Sequence, residues 1–123
     1  MATVELTKDN FKDTITGNDI IIVDFWASWC GPCKSFAPIY EKVSENHDDI
    51  VFGKINTEDE QELAASFQIR SIPTLMIFRE QIVIFSQAGM LPETALEEII
   101  GKTRELDMDQ VRADIEAQQA QNA

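Results

Sequence analysis

The sequence has 123 residues, which fits one domain able to bury roughly two thirds of its unfolded surface without a crosslink. Apolar residues make up 44% and charged residues 26%, which excludes a wholly disordered chain. Twenty-two acidic residues against ten basic ones give a formal net charge of −12, which argues against nucleic acid or an anionic membrane as partner.

The chain opens without a charged region followed by an apolar run, and no apolar stretch reaches transmembrane length, so a cytoplasmic location is expected. Thr7 can cap a short helix carrying Phe11 and Ile15, after which Gly17 and Asn18 turn the chain into a strand over 20–26. That strand, Ile-Ile-Ile-Val-Asp-Phe-Trp, is apolar on both faces, the pattern of a central strand covered by helices on either side. Phe36, Ile39, Tyr40 and Val43 then follow helical spacing, with Pro38 inside the helix. A loop at His47, Asp48 and Asp49 leads to a strand over 50–56. From Thr57 the spacing of Leu63, Ala64 and Phe67 predicts a helix, which completes a βαβ unit. Strands over 74–78 and 82–85 are separated only by Arg79, Glu80 and Gln81, a connection that permits nothing but an antiparallel hairpin. Gly89 ends the hairpin, and Pro92 and Glu93 suit the first turn of a helix with Leu96, Ile99 and Ile100 on its apolar face. The expected class is therefore α/β with a mixed sheet.

The only two cysteines lie in residues 26–36, Trp-Ala-Ser-Trp-Cys-Gly-Pro-Cys-Lys-Ser-Phe, where a buried strand ends and a helix begins. Ligands of α/β proteins gather at that edge of a sheet. Residues three apart share a helix face, so Cys30 at the open end and Cys33 one turn inside can close a small disulfide ring. The amides and dipole of the helix start favour a thiolate at Cys30, and Lys34 adds positive charge nearby. These features make Cys30 the candidate nucleophile and Cys33 the resolving thiol. Pro32 has no N–H and suits the first helical turn. Two structural readings compete. Zinc takes four ligands, and only Cys30, Cys33 and the lone His47 have the right softness, so no metal is expected. A staple across three residues closes too short a loop to stabilise much.

The run Trp29-Cys30-Gly31-Pro32-Cys33-Lys34 resembles the active site of the thioredoxin family. The likeness continues through Val23-Asp24-Phe25-Trp26-Ala27, Phe52-Gly53-Lys54 and Ile69-Arg70-Ser71-Ile72-Pro73-Thr74, from about Thr3 to about Arg104. It implies a thioredoxin fold, a five-stranded mixed sheet flanked by helices over residues 1–105. It also implies reduction of protein disulfides through a redox-active Cys30–Cys33 pair with no bound cofactor. The partners it implies are disulfide-containing target proteins and an NADPH-dependent thioredoxin reductase, with the protein acting as a monomer. By the same resemblance Asp24 lies behind Cys33 and moves its proton, a role that fits a carboxyl whose strand is apolar on both faces. Lys54 is the matching lysine near Asp24. The Ile72–Pro73 bond is expected to be cis and to face the disulfide. Trp29, Gly31, Pro32, Ile72, Pro73 and Gly89 are expected to form the surface that receives an extended target segment. Trp26 is expected to pack in the core, and Tyr40 and His47 to be structural or solvated.

Two features depart from the family. Glu80-Gln81 stands where relatives place a glycine turn. Beyond Arg104, residues 106–123 add a segment in which Asp107 and Gln110 resemble a capping box and Met108, Val111 and Ile115 share a side, so a helix or a frayed tail is expected. Two other functions share these features: a thiol oxidase or isomerase on the same fold, and a binding subunit whose dithiol is incidental.

Overall fold

Every residue from Ile20 to Phe25 is buried, and in the computed structural model, which describes residues 2–122, this run lies at the centre of a five-stranded sheet. The elements in chain order are β1 (Thr3–Glu5), α1 (Phe11–Gly17), β2 (Ile20–Trp26), α2 (Gly31–Ser44) and β3 (Val51–Asn56). They continue with α3 (Gln61–Ser66), β4 (Thr74–Arg79), β5 (Ile82–Ala88), α4 (Glu93–Glu105) and α5 (Met108–Gln121). The strand order is β1-β3-β2-β4-β5. Strands β1, β3 and β2 are parallel, while β4 runs antiparallel to β2 and β5 to β4. This is the mixed sheet expected from the sequence.

Alternate residues of a strand point to opposite faces, which sorts the core into two layers. Ile21, Val23, Phe25, Ile55, Met76 and Phe78 pack with Ile15 of α1 and Leu63 of α3. Ile20, Ile22, Phe52, Leu75 and Ile77 pack on the other face with Phe36, Tyr40 and Val43 of α2 and Leu96 and Ile100 of α4. Gly53 lets Leu6 lie directly across β3, because a Cβ at that position would collide with the Leu6 side chain. The Tyr40 hydroxyl meets the carbonyls of Ile22 at 3.0 Å and Gly53 at 2.8 Å, tying α2 to β2 and β3 together.

Several boundaries differ from the expectation, each for a local reason. Thr7 does not cap α1; its carbonyl receives the Phe11 amide at 2.9 Å and its hydroxyl the Asp9 amide at 3.3 Å, so it shapes the turn before the helix. Thr57 does not begin α3, because both its amide and its hydroxyl are bonded to the Trp26 carbonyl, at 2.9 and 3.1 Å. Strand β5 continues past Phe85 because pairing with β4 runs on to Thr74 and Ala88.

The β4–β5 turn consists of Glu80 and Gln81 with φ of 51° and 68°. Positive φ at both central residues is the mirror-image hairpin turn, whose twist matches the strands but whose usual residues are Asn and Gly. Glu80 is held by the hydrogen bond its amide donates to the Asp19 carbonyl at 2.9 Å and by an ion pair with Arg112.

Residues 108–121 are helical. Asp107 caps α5 by accepting from the amides of Asp109 and Gln110, but the Gln110 side chain bonds Asp114 instead of closing the capping box. Met108 is buried, and Val111 and Ile115 face Ile82 and Ile84 of β5 across a cavity. Arg79 joins this end to the sheet by donating to the carbonyls of Thr103 at 2.8 Å and Leu106 at 2.9 Å. Ala123, at the end of the expected tail, lies outside the described residues.

Left-handed backbone at a residue with a Cβ costs about 1–2 kcal/mol, partly offset by the extra freedom glycine brings to the unfolded chain. Gln81→Gly should therefore raise stability by about 0.5–1 kcal/mol, measured as a higher urea midpoint with an unchanged slope.

Candidate active site

Chain geometry at the end of β2 fixes the dithiol. After Trp26 the chain leaves the sheet through Ala27, Ser28 and Trp29, and Cys30 becomes the residue that caps α2, with extended dihedrals of φ −85° and ψ 113°. Its sulfur accepts the Cys33 amide at 3.2 Å. The first amides of a helix have no intrahelical partner, so a sulfur at the cap position receives both a hydrogen bond and the positive end of the helix dipole. Gly31 and Pro32 occupy the first turn, and Pro32 contributes no N–H. Cys30 and Cys33 are bonded to each other, with Cα atoms 5.2 Å apart. Their exposures, 4% and 3%, are nearly equal, so the open end expected for Cys30 is not a matter of accessible area. What differs is the neighbourhood: Cys30 holds the cap and lies 3.7 Å from the Ile72 carbonyl oxygen.

The Ile72–Pro73 peptide is cis, as expected. The Pro73 carbonyl accepts the Gly89 amide at 2.8 Å, and Gly89 itself has φ of +95°, a conformation glycine adopts without strain. Around the disulfide, Trp29 is 68% exposed, and Gly31, Pro32 and Gly89 are exposed as well. Pro73 is buried and Ile72 half-buried. Of the six expected surface residues, Trp29 and Ile72 line a cavity of about 330 Å³ that opens toward α3. Thr57 and Ser71 line it as well, and so do Ala64, Ile69 and the exposed Arg70. Sequence reasoning did not single those three out as site residues, because they are brought beside Trp29 only when α3 packs on the sheet.

Asp24 is 1% exposed, and neither of its carboxylate oxygens has a hydrogen-bond partner in the protein. Burial pushes its pKa up to about 7 from an ordinary 3.8, and the positive charge of Lys54 opposes that rise. Lys54 stands in register with Asp24 on the adjacent strand, its ammonium 4.9 Å from the centre of the Trp26 ring. Burial raises the Tyr40 phenol well above its usual value, with the charges of Asp24 and Glu41 pushing the same way.

His47 lies at the far end of α2 from Cys30, about 20 Å away at 1.5 Å per residue over a helix of 14 residues. Its ring stacks on Phe52 and is paired with Glu97, while Arg104 donates to Nδ1 at 3.0 Å and forks onto Asp49. Hydrogen bonding to Arg104 holds Asp49 down to about 2, and hydrogen bonding to His47 lowers Glu97. His47 thus braces the loop after α2 against α4, the structural one of the two roles expected of it. Among the described residues, no group of three or more His, Cys, Asp or Glu is placed to hold a metal ion.

Comparison with known proteins follows the same lines. The Thioredoxin family model matches residues 2–102. A Streptomyces coelicolor protein provisionally named thioredoxin 2 is 58% identical over 120 residues, covering 98% of this chain and 90% of its own. The thioredoxin of Porphyra purpurea is 39% identical over 104 residues, 83% of this chain and 97% of its own length. Among solved structures, a mutant thioredoxin from Halobacterium salinarum superposes with a TM-score of 0.77 at 31% identity, covering 85% of this chain and 91% of that one.

An Asp24 pKa near 7 has a consequence for folding. Between pH 4 and 7 the unfolded chain has released this proton while the folded chain keeps it, so the Asp24 contribution to stability falls as pH rises through that window. Above pH 7 the penalty is complete, on the order of 4 kcal/mol. Asp24→Asn should therefore be more stable than the native chain by a few kcal/mol at pH 8, and the gain should vanish near pH 4. Thermal melts across that range measure it.

Proposed function

The chain belongs to the thioredoxin family, and on that premise we propose that it reduces disulfides in other proteins by exchange through Cys30 and Cys33. The observation that carries this reading is the Cys30 sulfur at the cap of α2, accepting the Cys33 amide at 3.2 Å while within bonding reach of Cys33. A hydrogen bond from an amide to a sulfur stabilises the thiolate over the thiol, and the thiolate is the nucleophile.

In the reduced protein the Cys30 thiolate attacks one sulfur of the target disulfide. A bond forms between Cys30 and that sulfur, the target S–S bond breaks, and the other target sulfur leaves as a thiolate that takes a proton from water. Cys33 then gives its proton to Asp24, and its sulfur attacks Cys30. The Cys30–Cys33 bond forms, the mixed disulfide breaks, and the second target sulfur departs as thiolate. Two electrons have passed from the dithiol to the target. The near-neutral pKa of buried Asp24 suits this transfer, since a group that takes and returns protons works best when its pKa lies near the ambient pH. Lys54 tempers that pKa through its charge.

The exposed surface formed by Trp29, Gly31, Pro32 and Gly89, with Ile72 and cis Pro73 beside the disulfide, receives an extended segment of the target; the Ile72 backbone lies outside the sheet ladder and is available to pair with it. An NADPH-dependent thioredoxin reductase returns the dithiol to its reduced form, so the protein acts as an electron carrier. We place it in the cytoplasm as a monomer, with residues 1–105 as the catalytic domain and 106–123 as an appended segment.

Replacing Cys33 by Ser removes the resolving thiol and should accumulate target proteins linked to Cys30, visible as reducible adducts after capture from an oxidised extract. Equal trapping by Cys30→Ser would reverse the assignment of nucleophile. In dithiothreitol and glutathione buffers the pair should remain oxidised at potentials more reducing than that of glutathione; a pair poised at or above glutathione would make the protein an oxidase or isomerase.

A further inference from the structure

The chemistry above leaves Asp24 in need of a route for its proton. Asp24 is 1% exposed, yet it must give up after each turnover the proton taken from Cys33. Beside it, on the α2 side of the sheet, lies a cavity of about 310 Å³ lined by Thr3, Val4, Glu5, Trp26, Glu41 and Lys54. Lys54 is in register with Asp24, and Trp26 is two residues along the same face of β2, so this cavity is walled by the two neighbours of Asp24 that lie between it and solvent on that face. Trp26 Nε1 and Glu41 Oε1 are buried without protein partners, as are both Asp24 oxygens. The volume accommodates several water molecules, and these atoms supply the donors and acceptors that water requires.

Glu41 is not free to swing away from this cavity. Its Oε2 accepts the Thr3 hydroxyl at 2.8 Å, a bond between α2 and β1 that spans 38 residues of chain. We propose that Glu41, clamped by Thr3, is a positioning residue for Asp24: its carboxylate opposes Lys54 across the cavity through which Asp24 exchanges its proton with solvent. The inference rests on the reading that Asp24 moves the Cys33 proton. The charged and titratable groups around Asp24 and this cavity are Lys54 from β3, Tyr40 and Glu41 from α2, and Glu5 from β1 on the outer wall, with Cys33 of α2 added on the reading above; β4 presents the uncharged Leu75 in register. Lys54 favours the charged form of Asp24, and the Glu41 carboxylate on the wall of the same cavity offsets the Lys54 charge.

The test is a carbon-detected NMR titration of the Asp24 carboxyl in the full-length reduced protein, set beside the pH profile of single-turnover target reduction. In Glu41→Gln, which preserves shape and removes charge, Lys54 is unopposed. The Asp24 midpoint should fall by about half a pH unit or more, about threefold in proton affinity, and the matching limb of the rate profile should move with it. Thr3→Val should shift both in the same direction, and Thr3→Ser, which restores the hydroxyl, should keep the native midpoint. A Glu41→Gln midpoint that is unmoved or higher would overturn the proposal. If the midpoint falls as expected but the rate profile in the native protein does not follow the Asp24 titration, the proton role of Asp24 fails instead, and the two failures are told apart by the NMR signal alone.

Discussion

Strand β2 has almost no solvent face. Its residues from Ile20 to Phe25 are all buried, hydrogen-bonded to β3 on one side and β4 on the other and covered above and below by helices. Burial of each large apolar side chain stabilises by about 1.5–3 kcal/mol, and the five that flank Asp24 together exceed the few kcal/mol that its buried carboxyl costs. The same constraint that builds the core thus permits a carboxyl to be trapped within it. It also dictates where the chain must emerge. The strand ends at the edge of the sheet, the connection to α2 is short, and the helix amides open on whatever residue stands at the cap.

That residue is a cysteine, and the helix start and the buried carboxyl perturb their groups in opposite senses. At the helix start, an amide and a dipole favour a charged sulfur. At Asp24, the absence of solvent disfavours a charged oxygen. A carboxyl held toward its neutral form and a sulfur at a helix cap therefore sit on consecutive elements, β2 and α2, joined by a connection of four residues that includes the exposed Trp29. The cis Ile72–Pro73 peptide and Gly89 close the other side, held together by the bond between the Pro73 carbonyl and the Gly89 amide.

The periphery serves the same centre by fixing α2. Tyr40 fastens the helix to two strand carbonyls, Glu41 fastens it to β1, and the His47 cluster braces its far end against α4. The C-terminal helix joins at a different place. It packs beside β5, Arg112 links it to Glu80 of the hairpin turn, and Arg79 holds the end of α4 and the loop that leads into it. The match to the Streptomyces coelicolor relative, which covers 98% of this chain, runs into that helix.

Residues close together in the chain made much of this legible. The two-sided apolar run of β2, the short hairpin connection, the helical spacing after Cys33 and the Cys-Gly-Pro-Cys sequence each state their structure within a dozen residues, and the local hydrogen bonds of α2 put Cys30 at its cap. Strand β1 was not legible from pattern, because three residues with one half-buried position carry no periodicity; only its pairing with β3 makes it a strand. Thr57 reads as the start of a helix, but the Trp26 carbonyl takes both its donors. The clasp of Thr3 on Glu41, the wall that Arg70 adds beside Trp29 and the free oxygens of Asp24 join residues tens of positions apart. The sequence by itself determined the fold class and the dithiol, because hydrophobic period and helix-end chemistry are local. Only the tertiary structure decided what surrounds the reacting groups, because burial and electrostatic neighbourhood depend on which distant elements pack together.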